Sequence, residues 1–441
     1  MVQHPLFNLE EIFDRPLKRY ELFFSVLDLS NLDKVNCLGR KPVSRSAIVR
    51  ALIFKNLRSI ANLSDLSNEL FERSALSSVL GFIPGDRPIP VERFSCFLKY
   101  TDNKVLQEIR ISLLRKLTQL GIIKGKYLSV DSCPILANVK ENNLKTSVRY
   151  RFLKDRPPKN DKDCRIGVFP TFTSGKTRVE FFWGYRNHII NDCESELPLA
   201  EITLAANVRG TSVIISQLDF VKNSLNLKPS AVIADSEYDS AAIIEYIVKN
   251  LGARPRISIN PRRSVPTTTK LSSSGVPICI AGFEMLSRGI FMDRAQNRKR
   301  HKFVCPIKGS KKFAKDHPYC PWFHPRFVEG TGCYTYLRVD VEESIRTNID
   351  YGSESFKRDL NRRTSSERVF SRLLSILMQK PSVVDLTATA NLCTISQLLY
   401  WLSLIFPHLS KNLIKFGLLK AFYRIFNFVK PYRFLNHNIY N

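Results

Sequence analysis

An α/β architecture, preceded by a helical segment and interrupted by a β-rich insertion, follows from three observations. Short β-rich runs start at Lys126 and then alternate with helical patterns as far as Asn260. The preceding residues, from the start to about position 115, carry helical periodicity only. Between Asn260 and Phe356 the alternation dissolves into Pro, Gly, Cys and basic residues, after which a helical pattern resumes. Strands followed by strand–helix alternation give a mixed sheet with helices on its faces. A structureless loop as long as 261–355 does not belong inside a compact domain, so that stretch is expected to be an inserted subdomain. At 441 residues the chain also exceeds what one core supports.

The elements are justified in order. Ile48 and Leu52 recur on one helical face with Val49 and Ile53 beside them. Shorter helices are expected at Leu63–Phe71 and Ser74–Leu80, before Gly81 and the Pro84-Gly85 pair break the pattern. These helices fit either a DNA-reading helix-turn-helix or a bundle packed on the core. Next come apolar extended runs ending at Asp131 and at Asp235, with strands at Val179–Ile190 and Leu199–Ala205 and helices at Ser212–Leu225 and Ser240–Asn250. Arg254–Asn260 supplies a further strand. The domain scheme is therefore a helical domain over 1–115, the first part of the α/β domain over 120–260, and a basic β-rich insertion over 261–355. A helix at 356–385 closes the α/β domain, and a helical tail follows over 386–441.

Lys and Arg number 67 against 40 Asp and Glu, a net charge of +27. Unpaired, such an excess only adds self-repulsion, so a polyanionic partner is expected. Ten cysteines lie in no paired framework, and the first residues are neither basic nor continuously apolar. Reduced thiols and a cytoplasmic, nucleoid-associated protein are the expectation. Leu398–Phe406 is apolar but stops at Pro407, short of the ~20 residues a spanning helix needs, so no membrane partner is expected.

The chemistry concentrates in three acids. Asp131 and Asp235 close buried runs, and a carboxylate at the rim of a sheet stands where open α/β sheets bind ligands. Glu367 lies on a later helix, one turn before Phe370 and two before Leu374, which places it on an apolar face. A carboxylate turned toward a core is costly unless paired or metal-bound. Three hard oxygen donors suit two Mg²⁺ ions, with Mn²⁺ able to substitute, at a phosphoryl-transfer centre. Simpler readings stay open: Asp235 as a helix cap, and Glu367 paired with Arg363 four residues before it.

Ser129-Val-Asp131-Ser, Gly184-Tyr-Arg-Asn-His188, Ile233-Ala-Asp235-Ser-Glu-Tyr-Asp239 and Arg363-Thr-Ser-Ser-Glu367-Arg-Val-Phe370 together resemble the core of bacterial insertion-sequence DDE transposases. The resemblance implies a ribonuclease-H-like mixed sheet with flanking helices, an inserted β-rich domain before the last acid, and metal held by Asp131, Asp235 and Glu367. It further implies cleavage at element ends and strand transfer into target DNA, with terminal inverted repeats and target DNA as partners and a homo-oligomer on DNA. The insertion-bearing subgroup carries Tyr-x2-Arg-x3-Glu-x6-Lys. Here Arg363 and Glu367 keep that spacing, but Leu360 stands for the Tyr and Leu374 for the Lys. Leu374 is instead expected to pack in the core. The departures leave two alternatives, a catalytically inactive DNA-binding derivative and a metal-dependent nuclease without strand transfer.

DNA contacts are expected from Arg298, Lys299, Arg300, Lys302, Lys311 and Lys312 in the insertion, where Phe303, Phe313, Tyr319 and Trp322 interleave with the cations. Arg362, Arg363 and Arg368 add cations beside Glu367. The spacings of His301, Cys305, His317, Cys320, His324 and Cys333 include some found in zinc sites, yet there is no Cys-x2-Cys pair. Zinc is not expected there. His188, after an alternating strand, is read as a hydrogen-bonded strand histidine rather than a ligand.

Overall fold

A computed structural model describes residues 17–33, 43–173, 176–260, 268–295, 297–322, 325–338, 349–351 and 353–409. The first ten residues, His324 and the basic, aromatic stretch 411–433 lie outside these.

Six helices open the described chain: α1 Lys18–Ser25, α2 Arg45–Leu57, α3 Leu63–Glu72, α4 Ser74–Leu80, α5 Val91–Tyr100 and α6 Asn103–Gln119. The three expected helices are α2 to α4. At the start of α2 the Ser44 hydroxyl accepts from Ala47 N, and Asp33 accepts from Arg45 N and Ser46 N, so the orphan donors of the first turn are satisfied. Ala47 to Phe54 are buried except for Arg50, so α2 is a core helix rather than an amphipathic one. Gly81, with φ of 96°, ends α4 in the left-handed conformation that glycine adopts without strain.

The sheet follows, with β1 Tyr127–Leu136, β2 Arg165–Thr173, β3 Lys176–Asp192 and β4 Leu197–Ala205. Then come α7 Ile214–Ser224 and β5 Ala231–Ala234. The strand order is β2-β3-β1-β5, with β4 also paired to β3. β3 is long enough to serve twice: its first half pairs antiparallel with β2 and its second half with β4, while β1 runs antiparallel along the other edge. Gly184 marks the changeover, and a Cβ there would meet the Ile135 carbonyl oxygen at 2.1 Å, so no other residue fits.

Beyond β5 the chain forms α8 Ala241–Lys249, β6 Arg254–Ile257, and the hairpin of β7 Thr268–Leu271 with β8 Pro277–Cys279. A three-stranded antiparallel sheet, β11-β10-β9, is built from β9 Leu286–Asp293, β10 Arg298–Val304 and β11 Tyr334–Arg338. Short helices α9 Pro306–Gly309, α10 Lys311–Asp316 and α11 Pro325–Val328 lie between β10 and β11. α12 Glu354–Asn361 and α13 Thr364–Leu373 come next, then a π-helical turn Leu374–Met378 and α14 Leu386–Leu409. Among the described residues, no helix is long and apolar enough to cross a membrane.

The chain divides into two compact units, one built from the described residues up to Ile233 and from Arg362 onward, the other from Ala234–Asn361. In the first, α14 lies against β4, α5, α6 and α2, and it carries a buried polar cluster. Glu201 on β4 accepts from Gln107 and Thr394 at one carboxylate oxygen and from Asn187 and Gln397 at the other. In the second unit the buried Arg256 of β6 bonds Asp359 at 3.0 Å and Asp350, and it lies over Phe356, pinning α12 to the strand.

Candidate functional site

Ser129 and Asp131 alternate along β1 and therefore share a face of the sheet. Onto that face α13 is fastened by buried hydroxyls. Ser366 pairs with Ser129 at 2.6 Å and donates to Asn191 Oδ1 at 2.8 Å, while Asn191 Nδ2 donates to Ser365 at 3.1 Å. All four residues are buried, so each contact is worth more than its exposed equivalent and each partner lost would leave an unsatisfied polar group. With Ser365 and Ser366 turned inward, Arg363 and Glu367 project at the edge of the same contact. The Arg363 guanidinium donates to Glu367 Oε1 at 2.7 Å and stands 3.5 Å from Asp131 Oδ2. Two acids far apart in sequence thus close on one cation.

Three expectations are corrected here. Asp131 does not end its strand: β1 continues to Leu136, paired with β3 as far as Gly184, and Asp131 sits mid-strand opposite Ile189. Its Oδ1 accepts from Ser132 N at 2.8 Å. Glu367 does not face a core. Its side chain is 56% exposed, because the buried stripe of α13 is Ser365, Ser366, Val369 and Leu373. Leu374, expected in the core, is half-buried at the first position of the π-helical turn. Asp235, in the second unit, directly follows β5 and caps the short 3₁₀ turn Ser236–Tyr238, accepting from Glu237 N at 2.9 Å. The capping reading thus describes what its carboxylate does here.

Several of the cations expected to meet DNA have intramolecular partners. Arg362 lies 4.0 Å over the Tyr127 ring, Arg363 holds the two acids, and Arg368 shares Glu196 with Arg372. In the second unit the backbone of Arg298 lies opposite Asp293 in the strand register, and Lys299 and the helix residues Lys311 and Lys312 are exposed. Strand alternation places Arg300 and Lys302 on one face of the three-stranded sheet, with Phe291 opposite Arg300, Tyr336 opposite Lys302, and Tyr334 two residues before Tyr336 on β11. Phe291, Tyr334 and Tyr336 are 41%, 38% and 37% exposed. Arg300 pairs with Asp293 at 2.8 Å and lies over Tyr336 at 5.7 Å. Cations interleaved with exposed rings suit a nucleic-acid strand, phosphates to the one and bases to the other.

His188 was read as hydrogen-bonded, and the structure corrects this. It is 1% exposed, and neither ring nitrogen finds a partner among the described residues. Burial, helped by the Arg186 charge, lowers its pKa to about 4. The folded protein therefore holds a neutral imidazole that the unfolded chain protonates near 6.5. Stability from this group is full above that value and is lost as pH falls toward 4, roughly 3 kcal/mol across the interval. The expected result is that His188→Leu flattens the dependence of thermal midpoint on pH between 6.5 and 4; an unchanged dependence would place the titration elsewhere.

No group of three or more His, Cys, Asp or Glu side chains among the described residues stands ready-arranged around a metal position. In the first unit Asp131 and Glu367 meet about Arg363.

No protein-family model and no curated protein sequence matches the chain. Among solved structures, it is similar to a cryo-EM structure of the piggyBac transposase synaptic complex with hairpin DNA, at 14% identity and a TM-score of 0.37, covering 90% of this chain and 76% of that one. It is also similar to the Mos1 transposase paired-end complex with left transposon end, at 12% identity and a TM-score of 0.16, covering 58% and 69%.

Proposed function

We propose that this chain is a DNA transposase of the DDE type, acting on terminal inverted repeats and on target DNA as a homo-oligomer. The observation that carries the reading is the closure of Asp131 and Glu367 on one positive charge. The donor chemistry fits a hard divalent cation: carboxylate oxygens already gathered about a cationic group, at a partly exposed edge of the sheet. Asp131, Asp235 and Glu367 would hold two Mg²⁺ ions, Mn²⁺ serving in their place. When bound, the ions would supply Lewis-acid activation of the attacking oxygen and neutralise charge on the leaving oxygen.

The chain's own residues do the rest. The Ser129, Asn191, Ser365 and Ser366 contacts hold α13 in place, so Glu367 meets Asp131 without a search over orientations. Arg363 occupies the acids in the free protein and is released to a DNA phosphate when the substrate arrives. Water then attacks the phosphodiester at the element end and frees a 3′ hydroxyl, and that hydroxyl attacks the target strand. The basic, aromatic sheet face of the second unit holds the DNA.

The test is one incubation of the purified chain with end-bearing duplex and Mg²⁺. Nicking followed by joining is the expected result. Binding alone would identify a DNA-binding derivative, the reading favoured by Leu360 and Leu374, and nicking without joining would identify a nuclease. A second expectation concerns the sheet face. Each phosphate contact contributes ~0.9 to the slope of log affinity against log salt. Arg300→Ala with Lys302→Ala should therefore flatten the slope by roughly 1.8; a slope equal to that of the parent chain would remove this face from the DNA path.

A further inference from the structure

The core of the inserted sheet and hairpin is small and unusual in composition. Its fully buried members are Cys279, Met285, Phe303, Cys305, Ile307 and Cys333, so half of them are cysteines. A module of this size seldom stands on its apolar core alone and is ordinarily stapled by a disulfide or a metal. All three cysteines are free thiols.

They are brought together by three separate segments: the end of β8, the residue capping α9, and the residue before β11. The Cys333 thiol contacts both Cys279 and Cys305. Backbone joins them as well, since Cys305 N donates to the Cys333 carbonyl at 2.7 Å. Gly332 allows the approach, because a Cβ there would fall 2.7 Å from Cys305 Cβ. Cys320, half-buried, packs on the same cluster. His317 is close by, stacked on Phe313 and edge-on to Phe283, both members of the cluster's shell.

Backbone donors converge on two of the sulfurs. The N–H groups of Ala281 and Phe283 point at Cys279, and those of Ile307 and Lys308 point at Cys305.

We propose that Cys279, Cys305, Cys333 and Cys320 form a structural zinc site that staples the inserted sheet and hairpin together. An S–H···S contact is close to the ~3.8 Å edge of a tetrahedron with Zn–S near 2.3 Å. Among the described residues no metal position stands ready-arranged, so the protonated thiols close round the ion as it binds. Binding releases four thiol protons to solvent and leaves a centre of net charge −2. Lys308, Lys311, Lys312 and Lys315, on the two short helices that follow Cys305, supply positive charge. Sequence spacing could not show this, because the four cysteines have no Cys-x2-Cys pair and Cys279 precedes the others by a whole hairpin and strand.

The experiment measures metal on the purified full-length chain, then titrates the metal-free chain with Co²⁺. One equivalent of zinc per chain is expected, falling at least tenfold in Cys333→Ser and unchanged in Cys96→Ser, whose cysteine is exposed in the first unit. If the Cys333 variant does not fold, the cobalt spectrum of the parent chain decides. Intense tetrahedral bands with a thiolate-to-cobalt transition support the site. Their absence, or a parent chain isolated without zinc and with these thiols freely reactive, overturns it. The outcome is independent of whether the chain cuts DNA.

Discussion

Asp131→Asn is expected to slow metal-dependent cleavage of end-bearing DNA roughly a thousandfold, since losing an anionic ligand forfeits several kcal/mol of transition-state stabilisation at ~1.4 kcal/mol per decade. Duplex affinity should stay within about twofold, because the phosphate contacts lie elsewhere. A purely structural role for Asp131 predicts the opposite profile. Its pairing with Arg363 is 3.5 Å long, with the two side chains 21% and 35% exposed, so the pair is worth less than ~1 kcal/mol. The thermal midpoint should therefore move by no more than about 3 °C. A large drop in stability with cleavage intact would sink the catalytic assignment. Arg363→Met offers the complementary check. With the guanidinium gone, the free protein should bind Mn²⁺ more tightly, whereas unchanged affinity would mean that Arg363 and metal do not compete for these acids.

Helices α2 to α4 are legible because apolar residues run through them between clear boundaries, Ser44 before α2 and Gly81 after α4. α5 and α6 fall within the stretch read as helical without being placed one by one, although Leu106, Ile109, Leu113 and Leu117 recur at helical spacing. β2 was missed for a different reason. Most of its pairing is with the first half of β3, and nothing local says that one strand will carry two partners along one edge.

The acids were found, but their settings were misjudged. Asp131 looked like a strand end because a charge usually closes an apolar run. Pairing to β3 carries the strand on through Ser132 and Cys133 regardless. Phe370, Leu373, Leu374 and Leu377 read as one apolar face that includes Glu367. Leu373 is buried as that reading requires, but Phe370 and Leu374 are half-buried. The buried contacts of Ser365 and Ser366 turn Glu367 outward, and the π-helical turn from Leu374 resets the phase so that Ile376 and Met378 are buried next. Hydroxyls that act as the inward face of a helix carry no hydrophobic signal, and a pattern of apolar residues cannot register them.

The same blindness applies to the Glu201 cluster, and there the energetic stake is larger. Glu201 is 9% exposed and takes four side-chain hydrogen bonds from Gln107, Thr394, Asn187 and Gln397, tying β4 and β3 to α6 and α14. Close by, Arg110 is 2% exposed, donates to Gln107 Oε1 and the Leu199 carbonyl, and lies over Trp401. Burial lowers the Arg110 pKa to about 10, and the Glu201 charge opposes that drop. At neutral pH the guanidinium therefore stays charged inside the protein with Glu201 as its counter-charge. Glu201→Met should strand that charge and take one acceptor from each of four donors, a loss of roughly 3–5 kcal/mol, or about 10 °C in thermal midpoint. Replacing both groups removes the uncompensated charge, so Arg110→Met with Glu201→Met should be more stable than Glu201→Met alone. The measurement is a double-mutant cycle by denaturant unfolding. If the double variant is no more stable than the single one, the two charges are uncoupled, and Glu201 matters only as a hydrogen-bond acceptor for the elements around it.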